Sequence, residues 1–168
     1  MEELSKVLPA GEFVGRFFDG KMSAELCKKC PHYGKRWACP PFAEPFDFSP
    51  FSHAEIVLRR VENVGDFEKT YFEARKDFDL RILKSESEHA IAAGLYAGSC
   101  ANCPLEKCGR ERGEKCPFAA DLRYSLEALG FDVSKIAREL FGVDIEWKSK
   151  GKSPKFATLV AALFFKLQ

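Results

Sequence analysis

All seven cysteines of this 168-residue chain fall in two short windows, residues 27–39 and 100–116, and any fold must serve both. Such Pro- and Gly-punctuated backbone does not propagate helix or strand, so each window is a loop whose shape needs another source of order. An odd number of cysteines leaves no closed disulfide framework, and metal is the better explanation for this density of thiols. The first window, CKKCPHYGKRWACPP, has the spacing C-x2-C-x8-C; the second, CANCPLEKCGRERGEKC, has C-x2-C-x4-C-x7-C.

Cys100, Cys103, Cys108 and Cys116 supply four soft anionic donors, which suit a [4Fe–4S] cluster or a structural zinc. Zinc ribbons use two Cys-x2-Cys knuckles, whereas here one such pair is followed by two single cysteines. Pro follows Cys30, Cys39, Cys103 and Cys116, as it follows cluster cysteines in ferredoxins. Iron–sulfur is therefore the leading expectation and zinc the alternative. Cys116 is expected at the N-cap of a helix, where backbone amides and the dipole would stabilise a negative cluster.

Cys27, Cys30 and Cys39 offer three thiolates. The expectation is a zinc or cluster site completed by a distant residue, or else a cubane with one iron open to a substrate or a [3Fe–4S] cluster. His32 and His53 are the candidate protein ligands, each weighed against an ordinary surface role, and His89 reads as structural, inside a helix. Trp37 is expected to shield a cluster while Lys35 and Arg36 balance its charge.

The 26 basic and 25 acidic side chains nearly cancel, so no whole-chain field draws the protein to nucleic acid or an anionic membrane. Lys148, Lys150, Lys152 and Lys155 share one turn with no interleaved aromatic, which favours a solvated turn over an RNA contact. The opening Met-Glu-Glu-Leu-Ser-Lys lacks the basic-then-apolar order of a secretory signal. Ala157–Phe165 is far short of the roughly 20 residues that span a bilayer. A cytoplasmic protein is expected, meeting a redox partner or a small molecule and no membrane. A Gly-rich phosphate loop, a nucleophile elbow and an HExxH helix are all missing from the sequence, which removes support for P-loop enzymes and common hydrolases. Electron transfer is the leading function. The alternatives are an enzyme using an open iron at the three-Cys centre, and a structural zinc module.

Residues 12–18 suggest a first strand, with Phe13, Phe17 and Phe18 apolar. The prolines of 40–51 predict an extended, aromatic-anchored loop, and EIVLRRV a strand. Phe67, Tyr71, Ala74 and Phe78 draw one stripe on a helix from Asp66. Ser85 and Glu88 form a capping-box pattern for a second helix to about Tyr96. Pro117 opens a third, striped by Phe118, Leu122, Leu126 and Leu129 and ended by Gly130, on which Arg123 and Glu127 pair at i, i+4. Ser134 caps a fourth. VDIEW and FATLVAALFF close the chain as strands. These elements predict one α+β domain over residues 1–168, with a small mixed or antiparallel sheet, about four helices and two cysteine-rich metal-binding loops.

The first window resembles the signature C-x2-C-P-x-Y-G-x2-W-x-C-P-P, and CPFAADLRYSLEALGFDV resembles the later Ser-x-Glu-Ala-x-Gly-x-Asp-Val signature, of a bacterial and archaeal family of predicted metal-binding proteins, the domain of unknown function 2284 type. Order and separation match, and LVAALFF fits the closing strand, so the resemblance covers most of the chain. It implies that all seven cysteines are ligand candidates, with Tyr33, Gly34, Trp37, Pro40 and Pro41 belonging to the first signature. The chain departs from the family in a longer Cys103–Cys108 gap, and in Arg123-Tyr124-Ser125-Leu126-Glu127-Ala128 where the family has Arg-Pro-Ser-Met-Glu-Ala. The resemblance implies metal binding and no particular reaction.

Overall fold

A computed structural model describes residues 1–103 and 108–167; Pro104 and the rest of the spacer before Cys108 lie outside the described residues. The chain order is β1 (Glu2–Pro9), α1 (Ala10–Phe17), α2 (Gly20–Lys28), β2 (His53–Glu62), α3 (Phe67–Ser87), β3 (Ala92–Leu95), α4 (Leu126–Leu129), α5 (Val133–Phe141) and β4 (Phe156–Phe165). Single 3-10 turns lie at Gly109–Arg112 and Ala119–Asp121. The architecture is α+β, with one antiparallel sheet in the order β1-β2-β4-β3.

The two central strands are apolar on both faces because both faces are covered. Strand alternation turns Ala54, Ile56 and Leu58 of β2, with Val160, Ala162 and Phe164 of β4, toward α1, α5 and the loop carrying Phe46, Phe48 and Phe51. The opposite face, through Val57, Leu159 and Ala161, packs on Phe78 and Ile82 of α3. Asp66 starts α3 by accepting hydrogen bonds from the Glu68 and Lys69 amides at 2.9 and 3.1 Å. As the prolines dictate, residues 42–51 form neither helix nor strand.

Several expected elements differ. Residues 12–18 fall mostly in α1, not a strand, because Ala10, Phe13 and Phe17 recur at helical spacing and are all buried. Ser85 and Glu88 start no helix: α3 runs on through Ser87, and residues expected to be helical form β3, recruited by pairing with β4. His89 accordingly sits beyond α3, its ring stacked on Phe165 at 4.4 Å. The long helix from Pro117 is reduced to a 3-10 turn and the four-residue α4, capped by Ser125 through the Ala128 amide at 3.1 Å. Asp132, not Ser134, caps α5, its carboxylate accepting from the Lys135 amide at 2.9 Å. VDIEW is not a strand: β4, the strand it was expected to accompany, already has β2 and β3 as its neighbours. β1 and α2 are additions to the expected list, making five helices among the described residues.

Candidate metal centres

Helix α2 delivers the first cysteine group. Asp19 caps it, accepting from the Met22 amide at 3.0 Å, while the Asp19 amide donates to Gly130 O at 2.7 Å and so docks α2 beside α4. Cys27 lies in the last turn of α2, and Cys30 follows with its amide on Cys27 O at 2.9 Å. The chain then reverses through Gly34, whose positive φ of 69° favours glycine and whose amide donates to Pro40 O at 2.9 Å. That turn buries Cys39. Burial first, then the Cys30 sulfur, pushes the Cys39 thiol up to about 11; burial, then Cys30 and Glu127, raises Cys27. The three sulfurs of this group therefore lie within electrostatic reach of one another, and metal loading there must displace protons.

The second group leaves the sheet at β3. Arg75 of α3 donates to the carbonyls of Gly98 and Ser99, and the Tyr71 hydroxyl donates to Ala97 O at 3.0 Å, which holds the segment entering Cys100. Gly98 is required: its φ is +96°, and a Cβ there would come within 2.7 Å of the Tyr71 oxygen. Cys100, Cys103, Cys108 and Cys116 all line one cleft of about 500 Å³, together with Arg36 and Arg75. Cys116 is not a helix N-cap, since the nearest turn begins after Phe118, so the expected dipole contribution at that thiol is absent.

Arg110, which the sequence did not single out, fastens one cysteine window to the other. From the loop between Cys108 and Cys116 its guanidinium donates to Arg36 O at 3.0 Å, Cys39 O at 2.6 Å and Pro41 O at 2.6 Å, and stacks over Trp37 at 5.2 Å. Trp37 in turn donates to Glu114 O at 3.0 Å, and Arg36 to the Ser99 hydroxyl at 2.8 Å. Arg110→Ala is expected to cost about 2 kcal/mol, since it strands carbonyls that a charged donor satisfied. It should also loosen bound metal by about 10-fold. Arg110→Lys keeps the charge without the fork and should recover only part of either loss. Urea unfolding and chelator competition on the same preparations read the two effects.

The remaining candidates separate. His32 lines the four-cysteine cleft and is not among the residues around Cys27 and Cys30; burial, then Arg36 and Lys35, lowers its pKa. His53 sits in β2, bonded to the Ser52 hydroxyl at 2.9 Å, and lines neither cavity. Arg123 pairs with Glu86 of α3 at 2.9 Å instead of Glu127, because the chain is not helical before Leu126 and the two never share a face. Lys148 pairs with Glu68 at 2.5 Å and Lys155 lies over Phe156, as in a solvated turn.

Glu127 lies instead beside the first cysteine group. It lines a cavity of about 430 Å³ with Cys27 and Cys30. Burial raises its pKa against the pull of its own amide, the Ser125 hydroxyl, Arg75 and the Gly98 amide, and its buried Oε2 has no hydrogen-bond partner among the described residues. The donor chemistry fits thiophilic metal: Cys27, Cys30, Cys39, Cys100, Cys108 and Cys116 are free thiols. As they stand, no three Cys, His, Asp or Glu side chains among the described residues form a group that could hold a metal ion. Coordination would therefore draw the loops inward, the coupling of binding to local folding expected of thiolate sites.

No helix among the described residues is long and apolar enough to cross a membrane. Residues 18–165 match the model of the family described as Predicted metal-binding protein (DUF2284). No curated protein and no solved structure matches the chain.

Proposed function

The chain belongs to this family of predicted metal-binding proteins, and from that premise we propose that it is an iron–sulfur protein of electron transfer. On this reading a [4Fe–4S] cluster is held by Cys100, Cys103, Cys108 and Cys116, and a second centre by Cys27, Cys30 and Cys39. The observation that carries the proposal is that all four cysteines of the second window, spread over residues 100–116, line a single cleft. When bound, the cluster supplies a one-electron couple. The protein's part is to set its environment. Arg36 and Arg75 line the cleft and offset the negative charge of four thiolates, and Trp37, Tyr71 and Phe72 limit water. A redox partner in the cytoplasm then exchanges the electron.

A second reading, an enzyme that binds a small molecule at an open iron, is favoured by the cavity beside Cys27 and Cys30, whose walls include Met22, Leu26 and Phe131. Structural zinc in both loops is the third. Protein isolated without oxygen is expected to contain iron and acid-labile sulfide in matching amounts and to give an EPR signal on reduction. Stoichiometric zinc with no labile sulfide would establish the zinc module instead.

A further inference from the structure

We propose that Glu127 is the fourth protein donor of the Cys27, Cys30 and Cys39 centre, its carboxylate taking the position that the missing thiolate leaves. The inference rests on the reading that these three cysteines hold metal, and adds the residue that closes the site.

Three observations converge on it. Glu127 lines the same cavity as Cys27 and Cys30. The backbone brings them together: the Asp19 amide on Gly130 O and the Asp132 amide on Phe17 O lock the junction of α1 and α2 against the two ends of the Gly130–Asp132 segment that follows α4. Finally, the carboxyl is buried but incomplete. Its Oε2 is out of water without a partner among the described residues. A buried acceptor left so is costly, and a cation at that oxygen removes the cost. Neither histidine near the cysteines competes, since His32 lines the other cleft and His53 is bonded to the Ser52 hydroxyl and stacked on Phe165. The cavity is then closed to exogenous ligands until the carboxylate is displaced.

The test follows metal release to excess EDTA from protein isolated without oxygen. Wild type should release metal in two phases. Glu127→Ala should speed one phase by about 10- to 100-fold and leave the other unchanged. Glu127→Gln, which keeps the shape and volume of the side chain, should also speed that phase, so a folding defect cannot explain it. Glu127→Cys, supplying a fourth thiolate, should slow it below wild type. Wild-type release rates in all three variants would overturn the assignment. Cys27→Ser separates the premise: unchanged metal content in that variant means that the three-cysteine centre does not exist, and the assignment falls with it.

Discussion

Phe164→Ala is expected to destabilise the protein by about 3–5 kcal/mol, the range for removing a buried aromatic ring from a core that cannot collapse around it. Phe164 has no exposed surface and sits on β4, between β2 and β3, opposite Ala54 and Ala93. Small neighbours in the strands leave the volume to the ring. It fills that volume against Phe48 at 5.0 Å, Phe13 and Phe51 at 5.8 Å and Phe131 at 6.2 Å. These partners come from α1, from the Pro-rich loop and from the segment after α4, so one side chain joins three parts of the chain to the sheet. Phe164→Leu keeps most of the volume and should cost under about 1.5 kcal/mol. Urea unfolding measures both, and a midpoint for Phe164→Ala within error of wild type would mean that the aromatic cluster does not hold the core together. Because Phe48 and Phe51 anchor the loop that runs directly on from Pro40 and Pro41, the same substitution should weaken metal retention at Cys39.

What could be read in the sequence follows from where each element gets its stability. β4 was legible because a continuous apolar run buried on both faces needs nothing else to announce it, and α3 because its stripe is local. β3 was not, because Ala92–Leu95 has no β-branched residue and becomes a strand only by pairing with Phe165 through Ala162. β1 carries the charges of an exposed edge, Glu2, Glu3 and Lys6, which mask its pattern. The same division runs through the candidate centres. The cysteines announce themselves by spacing. Arg110 and Glu127 lie beside partners far away in the chain, at Cys39 and Cys27, and an i, i+4 spacing to Arg123 offered Glu127 a simpler role that the backbone does not support.

Arg75→Ala is expected to cost about 3–5 kcal/mol near neutral pH, because it leaves a buried carboxylate without its cation. Arg75 and Asp79 have side chains 6% and 12% exposed and meet at 3.0 Å on the inner face of α3. Burial pushes Asp79 up to about 6 even with Arg75 pulling the other way, and its Oδ1 has no hydrogen-bond partner among the described residues. A carboxyl raised above its unfolded value contributes stability that is present in acid and lost as pH rises through the folded pKa. Without Arg75 that folded pKa climbs further, so the deficit of Arg75→Ala should be smaller at pH 5 than at pH 8. Replacing both partners, Arg75→Met with Asp79→Leu, removes the buried charges together and should restore most of the stability. It should not restore the cysteine loop, since only a guanidinium at this position reaches the Gly98 and Ser99 carbonyls ahead of Cys100. Urea unfolding at the two pH values and chelator release from the four-cysteine site thus separate the two duties of one side chain. An Arg75→Ala deficit of the same size at pH 5 and pH 8 would show that Asp79 is not its source, and a double variant that holds metal as tightly as wild type would show that α3 does not position the loop.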